Sequence, residues 1–349
     1  MIASSLVSVA LSASLLGLPA TSAPVVPTDA PPIPSVTADR WIVYDADADV
    51  VLASWNANDQ APMASVTKVM TAIVTIENAD LGEVVTIPSF ATRARGSTAG
   101  LVTGEQWTVG DLLIAMLVRS GNDAALTLAY HVGDGSVSTF VDLMNAKAKQ
   151  YGMANTSFAN PNGLDNEEHY SSAQDLLTLI IESQKYPDIK RIARIRLVSM
   201  PEREGFRART FSNTNKLVGA YPGVVGLKTG DTPWADKVLL GVAEQAGRTI
   251  YTVVMHSDDH FSDTRELLDW AYGTYTIRDR WLRVFYSEEG GGATIDNPGE
   301  LSESHERRLR SLTPLDDGQW STSSAADLPK SEMIHRWIRE VLPSGEGTG

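Results

Sequence analysis

Cysteine is absent from the 349 residues. That absence removes thiol nucleophiles, Cys-based zinc sites and thiol redox chemistry together. Positive charge is scarce as well: 29 Lys and Arg face 43 Asp and Glu, a net charge of −14. Such a chain is repelled by nucleic acid and by anionic lipid headgroups, which argues against either as a main partner. No Gly-x-Ser-x-Gly elbow occurs, which argues against a Ser-His-Asp hydrolase. The six histidines (His131, His169, His256, His260, His305 and His335) form no His-Glu-x-x-His pair and read as structural, so no metal or other cofactor is expected. Long hydrophobic runs are missing too. Ile2–Leu18 is apolar or small, yet too short and too serine-rich for a membrane span.

That first stretch reads instead as an export signal over residues 1–23, with Ala20-Thr21-Ser22-Ala23 as the cleavage region, although no Lys or Arg precedes Arg40. Residues 24–37 form a Pro-rich linker, since Pro24, Pro27, Pro31, Pro32 and Pro34 forbid regular structure. Residues 38–278 read as one folded domain. A domain of that size buries about three-quarters of its unfolded surface and needs no staples. Residues 279–330 are acidic, rich in Ser, Gly and Pro, and expected to be largely disordered. Residues 331–342 place Met333, Ile334, Trp337, Ile338, Val341 and Leu342 at helical spacing, a short amphipathic helix before a disordered end at 343–349. Its one short apolar face favours docking on protein over membrane attachment.

Within the domain, Trp41–Tyr44 and Val50–Leu52 read as a hairpin, with Asp45, Asp47 and Asp49 as solvated turn residues. Helical periodicity starts near Ser65 and again at Val109, running to about Val132 with Thr108 as N-cap. Asp175–Glu182 looks helical. Strands return at Val224–Lys228, Val238–Ala243 and Ile250–Met255, and Thr264–Tyr272 closes as a helix. Strands at both ends of a helical middle predict an α+β fold whose sheet is built from both ends of the domain.

Three short segments carry chemistry: Ser65-Val66-Thr67-Lys68, Ser120-Gly121-Asn122 and Lys228-Thr229-Gly230. Each alone is weak, but in this order they make the signature of β-lactamases and penicillin-binding proteins. A serine hydroxyl needs an adjacent base, and a lysine one helical turn away reaches it. That lysine works only as the neutral amine, so burial and a neighbouring cation must lower its pKa, and Lys228 is the candidate cation. Ser120 can relay a proton and Asn122 can bond a substrate backbone. Lys228 and Thr229 at a strand end suit a substrate carboxylate, and Gly230 lets a peptide approach closely.

The stretches Pro62–Thr71, Ser120–Ala125, Asn160-Pro161-Asn162-Gly163-Leu164 and Tyr221–Gly230 resemble the low-molecular-mass D-alanyl-D-alanine carboxypeptidases of peptidase family S11. Gly96-Ser97-Thr98-Ala99-Gly100 and Thr108–Leu113 are similar to the same family, and the likeness covers roughly residues 38–277. The resemblance implies the β-lactamase/transpeptidase-like fold, an antiparallel sheet with a helical cluster. It implies Ser65 as acylated nucleophile, Lys68 as general base, and Ser120 and Asn122 as the second catalytic element. Lys228 and Thr229 would bind the terminal carboxylate, and the N–H groups of Ser65 and Asp231 would form the oxyanion hole. The implied substrate is a peptidoglycan stem peptide ending in D-Ala-D-Ala, with β-lactams as covalent inhibitors. Asp231 and Asp236 depart from the family, which often has an aromatic or His at the first place and Gly at the second.

Three other readings share these motifs. A β-lactamase would need a deacylating device, and no Glu-x-x-Leu-Asn stretch lies between Asn155 and Ser172. A D,D-endopeptidase has the same chemistry and motifs. A non-catalytic penicillin-binding module is opposed by the intact Ser65/Lys68 pair. Asn160, Pro161 and Gly163 read as a structural turn outside the site.

Overall fold

The computed structural model describes residues 32–200, 208–287, 313–314 and 320–321, with side chains as far as residue 273. The expected signal segment 1–23, most of the 24–37 linker, the bulk of 279–330 and the helix at 331–342 lie outside the described residues.

The hairpin forms where alternation predicts it, as β1 (Arg40–Asp45) and β2 (Val50–Trp55). A 3-10 turn at Ala64–Thr67 leads into α1 (Lys68–Asn78). The small pair β3 (Val84–Thr86) and β4 (Gln106–Thr108) precedes α2 (Val109–Val118), α3 (Asn122–Val132) and α4 (Val137–Gln150). Then come α5 (Ala173–Ser183), α6 (Pro187–Ala193), and the pair β5 (Leu197–Met200) and β6 (Arg209–Ser212). Three long strands follow, β7 (Val224–Thr232), β8 (Asp236–Gln245) and β9 (Arg248–Ser257), and then α7 (His260–Ser287). The backbone of α7 continues past the expected boundary at residue 278. A two-residue pair, β10 (Thr313–Pro314) with β11 (Trp320–Ser321), lies further on.

The main sheet is antiparallel, in the order β2-β1-β9-β8-β7. Both faces are covered. Ile42, Val238, Leu240, Val242, Val253 and Met255 pack into the helical core. Trp41, Val43, Leu239, Ala243, Ile250 and Val254 pack on the other face with Leu267, Leu268 and Ala271 of α7. A sheet buried on both sides explains why β8 and β9 read as continuous apolar runs instead of alternating ones. The expected α+β layout, with an antiparallel sheet and a helical cluster, is the observed one.

Two expectations need correction. The helix expected over Val109 to Val132 is two helices, because Ser120 adopts φ +64 and turns the chain between them. Apolar periodicity runs across that corner and hides it. Asp45 is not solvated but fully buried. It accepts the N–H groups of Asp47 and Ala48 at 2.9 Å and faces Arg248 at 3.5 Å. The Thr108 cap is as expected, accepting from Asp111 N–H at 3.0 Å.

Two buried histidines give the fold an acid limit. Burial pushes both His169 and His260 down to about 4, from an ordinary 6.5. The unfolded chain takes up these protons below about 6.5 while the folded chain resists until about 4, so stability is full above 6.5 and is lost as pH falls. Each shift corresponds to roughly 3 kcal/mol at the acid end. Denaturant midpoints measured from pH 7 to pH 4 are therefore expected to fall steeply, and His169→Gln is expected to flatten part of that fall. A midpoint independent of pH over this range would contradict the assignment.

Candidate active site

The Ala64–Thr67 turn is the centre of the site. Ala64 is left-handed, with φ +50, and sets Ser65 at the head of α1. Lys68 is the first residue of α1 and is completely buried. Its Nζ lies 2.7 Å from Ser65 Oγ and 2.5 Å from the carbonyl oxygen of Asn162. Ser65 Oγ itself lies 3.3 Å from the same carbonyl.

That carbonyl belongs to the Asn160–Leu164 turn, which the sequence reading left outside the site. Thr71 Oγ1 donates to Pro161 O at 2.6 Å, and Asn160 Oδ1 accepts from Gly163 N–H at 2.7 Å and Leu164 N–H at 3.1 Å. Gly163 has φ +86 and packs so tightly that an added Cβ would fall 2.1 Å from Ala64 O. The turn is thus both structural and part of the site, because it supplies a backbone acceptor to Lys68. A backbone carbonyl leaves no signature in sequence, which is why the residue types alone did not place it here.

β7 passes along the other side of the Ser65 turn. An added Cβ at Gly230 would lie 2.8 Å from Ala64 Cβ and 3.1 Å from Ser65 N, so only glycine lets strand and turn meet. Lys228 is buried, donating to Thr229 O at 2.9 Å and lying 3.4 Å from Thr214 Oγ1. Thr229 Oγ1 donates to Thr214 Oγ1 at 2.7 Å. The backbone N–H of Thr214 reaches Val118 O at 3.0 Å, which ties the Lys228 end of β7 to the residues just before Ser120.

Ser120 is buried at the α2–α3 corner. Asn122 opens α3, donates from Nδ2 to Arg95 O at 2.6 Å and from its backbone to Ser97 O at 2.8 Å. Its Oδ1 and that of Asn162 are buried with no hydrogen-bond partner. Asp123, which the sequence reading did not single out, accepts from Ala99 N–H at 2.9 Å and Leu101 N–H at 3.0 Å. It staples the Gly96–Gly100 loop to this corner. The signal was present as an acid in the first turn of a helix, where free N–H groups and the dipole favour carboxylates.

The electrostatics match the need for a neutral base. Burial first, and the Lys228 cation second, push Lys68 well below the ordinary lysine range, while Asp123 pulls the other way. Burial pushes Lys228 down to about 7. Of the remaining expected residues, Asp231 is exposed at the end of β7, next to Gly230. Asp236 takes φ +47, the left-handed conformation expected of glycine there and one that Asp tolerates. Among the described residues no three His, Asp or Glu side chains converge to hold a metal.

The profile of the peptidase S11 family, described as D-alanyl-D-alanine carboxypeptidase, matches residues 26–259. D-alanyl-D-alanine carboxypeptidase DacF of Bacillus subtilis is 34% identical over 69% of this chain and 64% of its own length. The match thus spans less than two thirds of that relative. A D-alanyl-D-alanine carboxypeptidase of Mycobacterium tuberculosis has a solved structure 32% identical to this chain, with a TM-score of 0.66, covering 71% of this chain and 96% of that one. The Streptomyces K15 DD-transpeptidase is 27% identical, with a TM-score of 0.65, over 70% of this chain and 98% of that one. With profile, relatives and fold in agreement, this chain belongs to the peptidase S11 family.

Proposed function

We propose that the chain is a serine-type D-alanyl-D-alanine carboxypeptidase acting on peptidoglycan stem peptides outside the cytoplasm. The observation that carries this is the 2.7 Å contact between Ser65 Oγ and the Nζ of Lys68, a buried lysine whose pKa is pushed well below the ordinary range by burial first and the Lys228 cation second. In this reading neutral Lys68 takes the Oγ proton as Ser65 Oγ attacks the carbonyl carbon between the two D-alanines. Charge develops on the carbonyl oxygen, and the N–H groups of Ser65 and Asp231 receive it. The C–N bond then breaks, the departing D-Ala amine takes a proton through Ser120 and Lys68, and an ester remains on Ser65. Water hydrolyses the ester with Lys68 again as base. Asn122 bonds the peptide backbone, the peptide lies along β7, whose Gly230 seats the Ser65 turn, and protonated Lys228 with Thr229 holds the terminal carboxylate.

A β-lactam would open on the same hydroxyl and stay esterified, which makes such compounds covalent inhibitors. Residues 38–278 are the catalytic unit in this reading, and residues 1–23 the export signal. No described helix is long and apolar enough to cross a membrane. Relatives of Pseudomonas aeruginosa and Escherichia coli named D-alanyl-D-alanine endopeptidase are 32% and 30% identical, so the endopeptidase is the reading to test against.

A pentapeptide ending in D-Ala-D-Ala is expected to release D-alanine, and its C-terminal amide to be turned over far more slowly. Lys228→Ala should lose most activity on the free acid and narrow the difference between the two peptides. Equal cleavage of acid and amide by the wild type would replace the carboxypeptidase reading with the endopeptidase one.

A further inference from the structure

A line of hydrogen bonds runs beneath the nucleophile turn and ends on its strained residue. His169, 1% exposed, immediately precedes Tyr170 and Ser171, which bridge to Ser157 and Ala61 after the Asn160–Leu164 turn. Its Nδ1 accepts from the backbone N–H of Ala159 at 3.0 Å. A backbone N–H can only donate, so Nδ1 is bare and the neutral ring carries its hydrogen on Nε2. Nε2 lies 2.7 Å from Thr67 Oγ1 and donates to it. The Thr67 hydroxyl then has one direction left for its own hydrogen, the carbonyl of Ala64 at 2.7 Å. Ala64 is the left-handed residue immediately before Ser65.

A non-glycine residue in that conformation persists only where its surroundings hold it. Here the Ala64 carbonyl is held from two sides, by the Thr67 hydroxyl and by the Cα of Gly163 packed against it. The Thr67 side is the directional one. A free threonine hydroxyl rotates, whereas this one is oriented by a donor that cannot turn. Burial keeps the ring neutral as well. Protonation would put a hydrogen on Nδ1 against the Ala159 N–H and break the line at its start.

We propose that His169 is a positioning residue for acylation. Through Thr67 it fixes the Ala64 peptide, and with it the direction of the Ser65 hydroxyl and backbone N–H. It touches neither substrate nor reacting atoms. The inference rests on Ser65 as the nucleophile.

The test is single-turnover acylation by a penicillin in excess, followed by intact mass, in the wild type, His169→Gln, His169→Leu, Thr67→Val and the His169→Leu/Thr67→Val double variant. The wild type must first show one adduct, on the Ser65 peptide; if it does not, the nucleophile assignment fails, separately from this one. In His169→Leu the limiting acylation rate is expected to fall about tenfold, less than an ångström of misplacement costs, with the half-saturating penicillin concentration unchanged. Glutamine can present an amide N–H near the Nε2 position, so His169→Gln is expected within about threefold of wild type. Thr67→Val should lose as much as His169→Leu, and the double variant no more than either, because both cut one line. Wild-type rates in His169→Leu, losses that multiply in the double variant, or glutamine falling as far as leucine would each overturn the proposal. If leucine prevents folding, Thr67→Val decides: a wild-type rate there overturns it as well.

Discussion

Lys68→Arg is expected to slow acylation of Ser65 at least about 10²-fold, the size of a lost general base. The substitution fixes a permanent positive charge in a slot where Nζ lies 2.7 Å from Ser65 Oγ and 2.5 Å from Asn162 O. It removes the one thing the mechanism needs, a neutral amine, because a guanidinium does not deprotonate in proteins. The direction of the wild-type pH profile follows from the same group. Acylation requires neutral Lys68, so the rate falls as pH drops through its pKa. That pKa is set far below the ordinary lysine range by burial and by Lys228, so the acid limb lies far below it too. The rate of penicillin adduct formation across pH, in both proteins, checks both statements. Near wild-type acylation by the arginine variant would mean that Lys68 acts only as a charge.

Gly163→Ala is expected to damage stability and chemistry together. The new methyl would lie 2.1 Å from Ala64 O, 2.4 Å from Ala64 C and 2.8 Å from Ser65 Cα, all backbone atoms that cannot swing aside. Backbone strain at φ +86 adds about 1–2 kcal/mol, and relieving the overlap moves the turn, for a total of about 3 kcal/mol or more. Moving the turn carries the Asn162 carbonyl away from Lys68, and an ångström of displacement at such a site costs about 10²-fold in rate. Gly152→Ala separates the two causes, since Gly152 has φ +72 but nothing within 4 Å of an added Cβ. It should lose only the strain, about 1–2 kcal/mol, with acylation unchanged. Equal losses in the two variants would show that backbone strain, not contact with the Ala64–Ser65 turn, governs Gly163.

The parts of this molecule that could be read from its sequence are those written in side-chain pattern. The β1–β2 hairpin and strands β7, β8 and β9 showed as apolar runs, and the Ser65/Lys68 spacing predicted a contact that the structure contains. The parts that could not be read depend on backbone. The corner at Ser120 needs φ +64, and nothing in the apolar spacing of Leu112 to Val132 announces it. The Asn162 carbonyl is an acceptor that any residue would own, and only the position of the turn makes it a partner of Lys68. Asp45 misled for a different reason. Its neighbours Asp47 and Asp49 mark an exposed turn, but its partly buried partner Arg248 is distant in sequence.

The pairing of β1 with β9, Ile42 against Val253, governs the order in which a newly made chain becomes an enzyme. Contacts so remote in sequence form late, because a long loop must close before they stabilise anything. The sheet therefore stays incomplete until the last third of the domain is available, and β7, which seats the Ser65 turn, is one of those late strands. An emerging chain carries its serine and its lysine long before it carries a reactive pair. Between synthesis and an assembled Ser65–Lys68 site lies a delay that the topology of the sheet imposes.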